Sequence, residues 1–420
     1  MIGCLAMASE GPLAFVRALR SRRPLAVGAA IALVVVVVGT GVALAGLASG
    51  GATRSPIPSE IGLATLGPSP FAPETPTPEP TATPSPTPSP TPEPTPAMVA
   101  ATTDGVLLPA GEADLATRHP IAVMIDDQAG ARPQSGLSQA DIVYQAPAEG
   151  GIPRYMAIFQ TQDPPSIGPI RSSRLYYVAW AEEWRALYVH MSGAPNAMAY
   201  LYQINGTYVW NADGLHYGGK SGYMWRVTYK AAPHNLYSSA AKLRALADKL
   251  GATAPFTKSP WTFADAAPTQ NRPIGGTIVV PYQANRVVYN YDRATNTYPR
   301  SVTGQAVETD AGNGQPIAPS NVVVLYEPMG ALSGSANIHK GRLEVGYNGT
   351  GKAVVFNDGT AIDARWSKKN DSSPTLLSYA SGPLAGQPVP LVRGQIFVQV
   401  VPTEMAVTWT LGRTVPPKIQ

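Results

Sequence analysis

The chain has 420 residues, a formal net charge of +4 at pH 7 and only 14% charged residues. A net charge this small, to which N-terminal arginines contribute, gives no indication of nucleic-acid binding. The single cysteine, Cys4, excludes disulfide bonds within the chain, and the rest of the sequence can supply neither a thiol nucleophile nor a cysteine metal site.

The start of the chain has the pattern of a membrane anchor. Four arginines between residues 17 and 23 precede residues 25–48, an uncharged apolar stretch long enough to cross a bilayer as a helix. Because arginines remain on the cytoplasmic side, we expect a cytoplasmic tail at residues 1–24, a single-pass anchor in the cell membrane and extracellular C-terminal domains. A cleaved signal peptide, with a small-residue site at residues 43–45, is the alternative.

Residues 49–103 are predicted to form a disordered linker. Their centre, ETPTPEPTATPSPTPSPTPEPTP, alternates proline with small polar residues. Proline fixes φ and lacks a backbone donor, so neither helix nor sheet can form and an extended spacer is expected. At about 3.1 Å per residue, this spacer reaches on the order of 100 Å. A glycosylated stalk and a ligand for proline-binding modules are the alternatives for such a tract.

The sequence between residues 121 and 174 concentrates charged groups at the ends of predicted elements. Buried strands are predicted at residues 121–125, 142–144 and 155–159, and a helix at residues 175–183 with Ser172 or Ser173 as its cap. Strand ends and helix starts are the positions where α/β layers hold ligands. The charged residues at these positions are Asp126, Asp127, Glu149, Arg154, Arg171 and Arg174.

Further elements follow along the chain. We predict a strand at residues 186–190 that ends on His190, a helix at residues 195–203 and an aromatic-rich loop over a cleft at residues 210–229. Ser238 and Ser239 begin another helix at residues 240–250, and Gly251 ends it. Short β-rich runs then occupy residues 278–282, 287–291, 322–326, 343–347, 353–356, 361–366, 396–401 and 407–410.

The predicted fold class is α+β. Residues 104–262 are expected to form an N-terminal lobe with a mixed β-sheet and packed helices, and residues 274–415 a mostly antiparallel β lobe. The pattern leaves open whether the two lobes share one sheet, although their short connector favours intimate packing.

Several long motifs give the sequence a family resemblance. ARPQSGLSQADIVY begins at Ala131, AEGGIPR and IGPIRSSR follow it, HNLY lies at residues 234–237, and RGQIFVQVVP lies at residues 393–402. These motifs resemble the signature of the YerB-like family of bacterial envelope proteins. The resemblance implies a domain of unknown function with N- and C-terminal parts, and no settled activity. Some members resemble lipoproteins with a cysteine just after the apolar stretch, whereas Cys4 precedes that stretch here, so lipid attachment is not expected.

The first candidate site is an anion site at Arg171 and Arg174. Three residues apart at a helix start, their guanidiniums share one face near free N–H groups and the positive end of the helix dipole. Guanidiniums bind carboxylate and phosphate groups in a bidentate manner. In the alternative, these arginines pair with Asp126, Asp127 or Glu149, or are solvated.

The second candidate is an acid–base or metal site made from Asp126, Asp127, Glu149, His190 and His234. Histidine titrates near neutral pH, so hydrolysis is chemically possible. The spacings of known metal and hydrolase motifs, including HExxH, are absent, so neither a metal nor a cofactor is expected. The Ser239-to-Lys242 tetrapeptide fits SxxK, but its companion motifs are missing and helix capping accounts for the serine.

Together these patterns predict one polar cleft at the end of the sheet. We expect it to bind an anionic cell-wall component or an envelope partner protein, with no nucleic acid. The alternative function is a cell-wall-directed hydrolase or transferase that uses the same cleft. In a purely structural alternative, these residues form a closed ion-pair network without a ligand. The residues expected to line the cleft are Asp127, Glu149, Arg154, Arg171, Arg174, His190 and His234.

Overall fold

The structure, a computed structural model, describes residues 97–302 and 304–414. The predicted cytoplasmic tail, the transmembrane anchor and residues 49–96 of the linker lie outside the described residues. Across residues 97–302 and 304–414, no helix combines the length and the apolar character needed to cross a membrane.

The N-terminal half of the described chain alternates short strands with helices. Ser239 caps the last of these helices, because its side chain accepts a hydrogen bond from the Lys242 N–H, and Gly251 ends that helix in a left-handed conformation. The elements in chain order are β1 (Met98–Ala100), β2 (Leu107–Pro109), α1 (Ala113–Ala116), β3 (Ile121–Asp126), β4 (Ile142–Pro147), β5 (Pro153–Phe159), α2 (Leu175–Glu183), β6 (Leu187–His190), α3 (Pro195–Ile204), β7 (Trp210–Asp213), α4 (Gly214–Tyr217), β8 (Trp225–Arg226), β9 (Leu236–Tyr237) and α5 (Ala240–Leu250).

The C-terminal half is mostly β-structure. Its elements in chain order are β10 (Phe263–Ala264), β11 (Ile274–Pro281), β12 (Arg286–Asn290), β13 (Arg300–Val302), β14 (Asn321–Glu327), β15 (Met329–Ala331), α6 (Ser335–His339), β16 (Leu343–Val345), β17 (Gly349–Asn357), β18 (Thr360–Lys368), β19 (Leu376–Tyr379), β20 (Leu391–Val392), β21 (Ile396–Pro402) and β22 (Thr408–Arg413).

Strands from both halves form one large mixed sheet. Within the described residues, ten strands lie in the order β19-β18-β17-β14-β21-β4-β5-β3-β6-β7. The halves meet where β4 pairs in parallel with β21, with Ile142 opposite Ile396 and Gln145 opposite Gln399. The two predicted lobes therefore share a sheet, and the predicted α+β class is confirmed.

Each face of this sheet is covered by another layer. On β3, Val123 and Ile125 belong to one hydrophobic core, and Ala122 and Met124 belong to the other, because successive side chains of a strand alternate between faces. The first core also contains residues of α5 and of an antiparallel sheet in the order β13-β12-β11-β22. The second contains residues of α2 and α3.

Two details differ from the sequence-based expectations. The folded part begins before residue 104, since β1 lies inside the range predicted as linker and pairs with β2. The predicted capping of α2 by Ser172 or Ser173 was wrong. Arg174 occupies the cap position without a side-chain hydrogen bond, and the Ser173 hydroxyl instead lies 2.9 Å from the Tyr188 hydroxyl.

Candidate functional site

The polar residues that follow the central strands lie at one end of the large sheet. β3 and β6 run parallel, so Asp126 and His190 both sit at that end. β5 runs antiparallel to β3, and its Arg154 is the direct partner of Asp126. Gly150 and Gly151 both have positive φ, which permits the tight turn between β4 and β5 that holds Glu149 at the same end.

Three guanidiniums face the carboxylate of Glu149. Arg154 Nη2 lies 3.0 Å from Oε2, Arg174 Nη2 contacts Oε1, and Arg342 Nε lies 3.8 Å from Oε1. Burial acts to raise the pKa of Glu149, but the hydrogen bond from Arg174 and the charges of Arg154 and Arg174 outweigh burial and hold the pKa below its usual value. Glu149 is therefore a carboxylate at neutral pH.

Asp126 holds two more basic groups. Arg171 Nε lies 2.9 Å from its Oδ2, and His234 Nδ1 donates to the same oxygen at 2.7 Å. The other oxygen accepts from the Gln128 N–H at 3.1 Å. A Cβ added to Gly130 would lie 3.6 Å from His234 Nε2, so the loop after β3 passes close to the second ring nitrogen. This arrangement is a carboxylate–histidine pair with an arginine beside it.

The arginines around Glu149 and the arginine beside Asp126 form one assembly, which we name the guanidinium cluster. It consists of Arg154, Arg171, Arg174 and Arg342 with Asp126 and Glu149. Burial lowers the pKa of Arg154, and the charges of Arg174 and Arg171 lower it further, so the guanidiniums repel one another.

Four guanidiniums thus face two carboxylates. The arginine side chains are only 10% to 20% exposed. Within the described part of the chain, Nε of Arg174 is buried without a hydrogen-bond partner. The guanidinium cluster therefore has an excess of positive charge in a mostly buried place.

Asp127 is fully buried and lies outside the guanidinium cluster. Side chains of consecutive extended residues point to opposite faces, so Asp127 turns away from Asp126. Its Oδ1 accepts from Arg132 Nη2 at 2.8 Å, and its Oδ2 accepts from the side chains of Gln145 and Asn285 at 2.7 and 2.9 Å. Its hydrogen-bonding capacity is used within the fold.

A second ion pair extends this network. The guanidinium of Arg300 is fully buried, pairs with Glu308, and donates through Nη2 to Gln145 Oε1 at 3.1 Å. Arg132 Nε lies 3.7 Å from Glu308. Because two arginines balance two carboxylates here, this network needs no further anion, and we interpret it as structural.

His190 also has a role within the fold. The residue is fully buried, with Nδ1 2.8 Å from the Ser192 carbonyl oxygen and Nε2 2.8 Å from Asn211 Oδ1. Both ring nitrogens are thereby engaged by neighbouring residues. Of the seven predicted site residues, the structure brings together Glu149, Arg154, Arg171, Arg174 and His234.

A cavity of about 240 Å³ lies at the start of α2. Leu175 and Tyr176, in the first turn of α2, form part of its wall, together with Asn196 of α3, Leu332 and residues 343–348. Leu175 follows Arg174 in the chain and Leu343 follows Arg342. Neither the four arginines nor any of the seven predicted residues belongs to its wall.

Besides Arg132, which lies in the ARPQSG motif, two basic residues of these networks escaped the sequence-based prediction. Arg342 follows α6 in a turn, and Arg300 begins β13. Neither belongs to a local motif, and their partners Glu149 and Gln145 lie in the other half of the chain. Their positions after a short helix and at the start of a strand were the available signals, but many residues share such positions.

The guanidinium cluster and His234 together supply guanidinium, carboxylate and imidazole groups. Across the described residues, no group of three or more His, Cys, Asp or Glu side chains is placed to hold a metal ion. Arginines at such a site bind and orient an anionic group, and the His234–Asp126 pair can accept a proton.

A buried acidic pair lies elsewhere, near the start of the folded part. Asp141 is buried and accepts hydrogen bonds from the backbone of Gln160 and from the hydroxyls of Thr161 and Thr103. Asp104 is also buried, and its carboxyl accepts from the Val106 N–H at 3.1 Å. Burial, followed by the charge of Asp141, raises the pKa of Asp104 to about 8.

Comparisons with known proteins agree with this architecture. Residues 108–253 match the family described as "Protein of unknown function (DUF3048) N-terminal domain", and residues 278–398 match its C-terminal domain. The "Putative lipoprotein YerB" of Bacillus subtilis (strain 168) is 31% identical over 310 residues, covering 72% of this chain and 87% of the relative. The crystal structure of the YerB protein from Bacillus subtilis superposes with a TM-score of 0.64 at 28% identity, covering 74% of this chain and 99% of that one. The chain therefore belongs to the DUF3048 family that includes YerB.

Proposed function

We propose that the protein binds an anionic ligand, through a carboxylate or phosphate group, at the guanidinium cluster. The observation that carries this proposal is the charge imbalance of the cluster, in which four mostly buried guanidiniums face two carboxylates.

The physical reason is the cost of buried charge. A buried cation without a counter-ion is strongly destabilising, whereas a bound anion supplies the missing charge and accepts hydrogen bonds from the planar guanidiniums. The cluster borders the start of α2, where Arg174 leaves the first-turn N–H groups without a side-chain cap. Helix N-termini favour anions, so the helix start adds to the same preference.

We place this binding on the outer side of a cell membrane. Support comes from the arginines that precede the apolar stretch at residues 25–48 and from the name of the Bacillus relative, which calls that protein a lipoprotein. Digestion of the C-terminal part by protease added to intact cells is the measurement that decides it, and full protection would contradict this location.

Substitution of Arg342 tests the binding proposal. Arg342 borders Glu149 from the C-terminal half, and its Nε is the most distant of the three contacts. We expect Arg342→Gln to weaken binding of polyglutamate and polyphosphate by about 1.5 to 3 kcal/mol, because one charge-assisted contact is lost. Titration calorimetry measures the affinity, and Arg365→Gln, on an exposed position of β18, serves as the matched control.

Stability separates this proposal from a closed ion-pair network. Since Arg342→Gln reduces an excess of positive charge, the variant should unfold at the wild-type temperature or above it. Saturating polyglutamate should raise the melting temperature of the wild type, because a ligand that binds only the folded state stabilises it. A large loss of stability without any loss of affinity would instead support the closed network.

The His234–Asp126 pair favours a second candidate, hydrolysis of the bound polymer. With Nδ1 bonded to the carboxylate at 2.7 Å, Nε2 can take a proton from an attacking water. We expect His234→Gln to reduce cleavage of a purified cell-wall polymer by about 10²-fold or more while binding persists. If the wild type releases no fragments under any condition, hydrolysis is ruled out and binding stands alone.

A further inference from the structure

Residues 214–237 form an aromatic, acid-free segment beside the guanidinium cluster. The segment contains no Asp or Glu, and its cations are Lys220, Arg226 and Lys230. Trp225 is 38% exposed and Tyr229 is 71% exposed, although aromatic rings of this size are usually covered. We call residues 225–237 the aromatic hairpin, since β8 and β9 pair antiparallel within it.

The rings lie together on this hairpin. Trp225 is directly opposite Tyr237, and residues directly opposite in an antiparallel pair share one face. The ring centres of Tyr229 and Tyr237 are 6.2 Å apart, and Tyr237 is buried. The hairpin therefore carries two exposed rings, Trp225 and Tyr229, and Tyr229 lies next to the buried ring of Tyr237.

The aromatic hairpin is anchored to the guanidinium cluster. His234, within the hairpin, donates to the Asp126 oxygen that also contacts Arg171. Lys230 Nζ donates to the carbonyl oxygens of Ala131 and Pro133, at 2.6 and 2.7 Å, in the loop that follows β3. The aromatic hairpin is thus held directly against Asp126, one of the two carboxylates of the guanidinium cluster.

From this geometry we infer that the anionic ligand is an acidic oligosaccharide, whose carboxylate enters the guanidinium cluster and whose sugar rings pack on Trp225 and Tyr229. The inference rests on the proposed function and specifies its ligand class. The C–H face of a pyranose ring is apolar and flat enough to cover an aromatic ring. A sugar acid carries the carboxylate that the guanidiniums bind and the apolar face that the rings require.

A single-stranded nucleic acid is the other polymer that uses cations and aromatic rings. Proteins that bind it track the backbone with a groove of exposed cations and stack successive bases. Here Lys230 is engaged by two carbonyl groups. Three of the four arginines surround one carboxylate, Glu149, and the fourth contacts Asp126. This arrangement suits one planar anionic group at a time, which favours the sugar acid.

The test compares four probes on the full-length protein at one salt concentration. They are an oligogalacturonate, a neutral oligosaccharide of equal length, polyglutamate and an oligodeoxythymidylate. Replacing both rings, in Trp225→Ala with Tyr229→Ala, should weaken oligogalacturonate binding about tenfold, or about 1.4 kcal/mol, and leave polyglutamate binding unchanged. Trp225→Phe should retain affinity because a flat ring remains. Tyr202→Ala, which removes a ring 62% exposed on α3, is the matched control.

The outcomes separate this inference from the proposed function. If both anions bind but loss of the rings changes neither affinity, or both equally, the sugar assignment is overturned and anion binding stands. Tighter binding of the oligodeoxythymidylate than of the oligogalacturonate overturns it as well. If neither oligogalacturonate nor polyglutamate binds, and Arg342→Gln has no effect, both proposals fail together.

Discussion

Replacing Arg300 with alanine should lower the free energy of unfolding by about 3 to 5 kcal/mol. Its side chain is fully buried, with one nitrogen paired to Glu308 and another 3.1 Å from Gln145 Oε1. Its guanidinium carbon also lies 5.3 Å from the centre of the Tyr155 ring. Alanine would remove these contacts together and leave a cavity in their place.

The large effect arises from the partners that remain. Glu308 is only 10% exposed, and its next cation, Arg132, lies 3.7 Å away and already holds Asp127. A carboxylate left without its partner in such a place loses its charge compensation without regaining full hydration. Because Arg300 begins β13 and Gln145 belongs to β4, the loss also weakens the contact between the two halves.

Urea denaturation of the full chain, followed by tryptophan fluorescence, measures this loss. Arg365→Ala, at an exposed position of β18, should change the free energy by no more than about 0.5 kcal/mol. The double variant Arg300→Met with Glu308→Leu should recover much of the stability, because both charges are then replaced by apolar groups. A loss below about 1 kcal/mol in Arg300→Ala would show that the pair is solvated or dispensable.

Local patterns predicted the elements of this fold well. Apolar runs located β3 to β6, and an amphipathic pattern between Ser239 and Gly251 located α5 with its cap and its end. These signals are local, because alternation and capping depend on residues a few positions apart. The strand β7 was hidden, because its single aromatic residue, Trp210, merges with the aromatic segment that follows.

Local sequence patterns could not predict which strands pair with each other. β4 and β21 lie next to each other although about 250 residues separate them in the chain, and no short-range feature of either strand specifies the other. Long separations in the chain, 193 residues (342 − 149) and 155 residues, likewise hide Arg342 from Glu149 and Arg300 from Gln145. Contacts of this kind depend on how the sheet is assembled, which sequence periodicity does not encode.

The candidate site illustrates the same limit. Placing charged residues at strand ends identified Glu149, Arg154, Arg171, Arg174 and His234, which the structure brings into contact. It did not separate Asp127 from Asp126, since the alternation of faces matters only once the covering layers are known. The binding role of these residues stays a prediction until a ligand is measured.

A substitution of Asp104 should have the opposite effect to that of Arg300, because it should make the protein more stable than the wild type at alkaline pH. The Asp104 carboxyl is buried and accepts from the Val106 N–H, and burial raises its pKa to about 8 from an ordinary value near 3.8. Between these pH values the folded protein retains a proton that the unfolded chain has released. The contribution of Asp104 to stability is therefore fully present below about pH 4, falls as the pH rises, and is lost above about pH 8.

We expect Asp104→Asn to abolish this fall, because asparagine cannot ionise and its oxygen can still accept from the Val106 N–H. At pH 8 to 9 the variant should be more stable than the wild type by on the order of 2 kcal/mol, whereas near pH 4 the two should be similar. Asp141→Asn is the matched comparison and should destabilise the protein, because Asp141 accepts from Gln160 and Thr161 with both carboxylate oxygens and an amide group supplies only one acceptor. Thermal unfolding from pH 4 to pH 9 measures all three proteins. If the stability of the wild type and of Asp104→Asn depends on pH in the same way, Asp104 ionises normally in the folded state. Its carboxyl would then be hydrated and not buried.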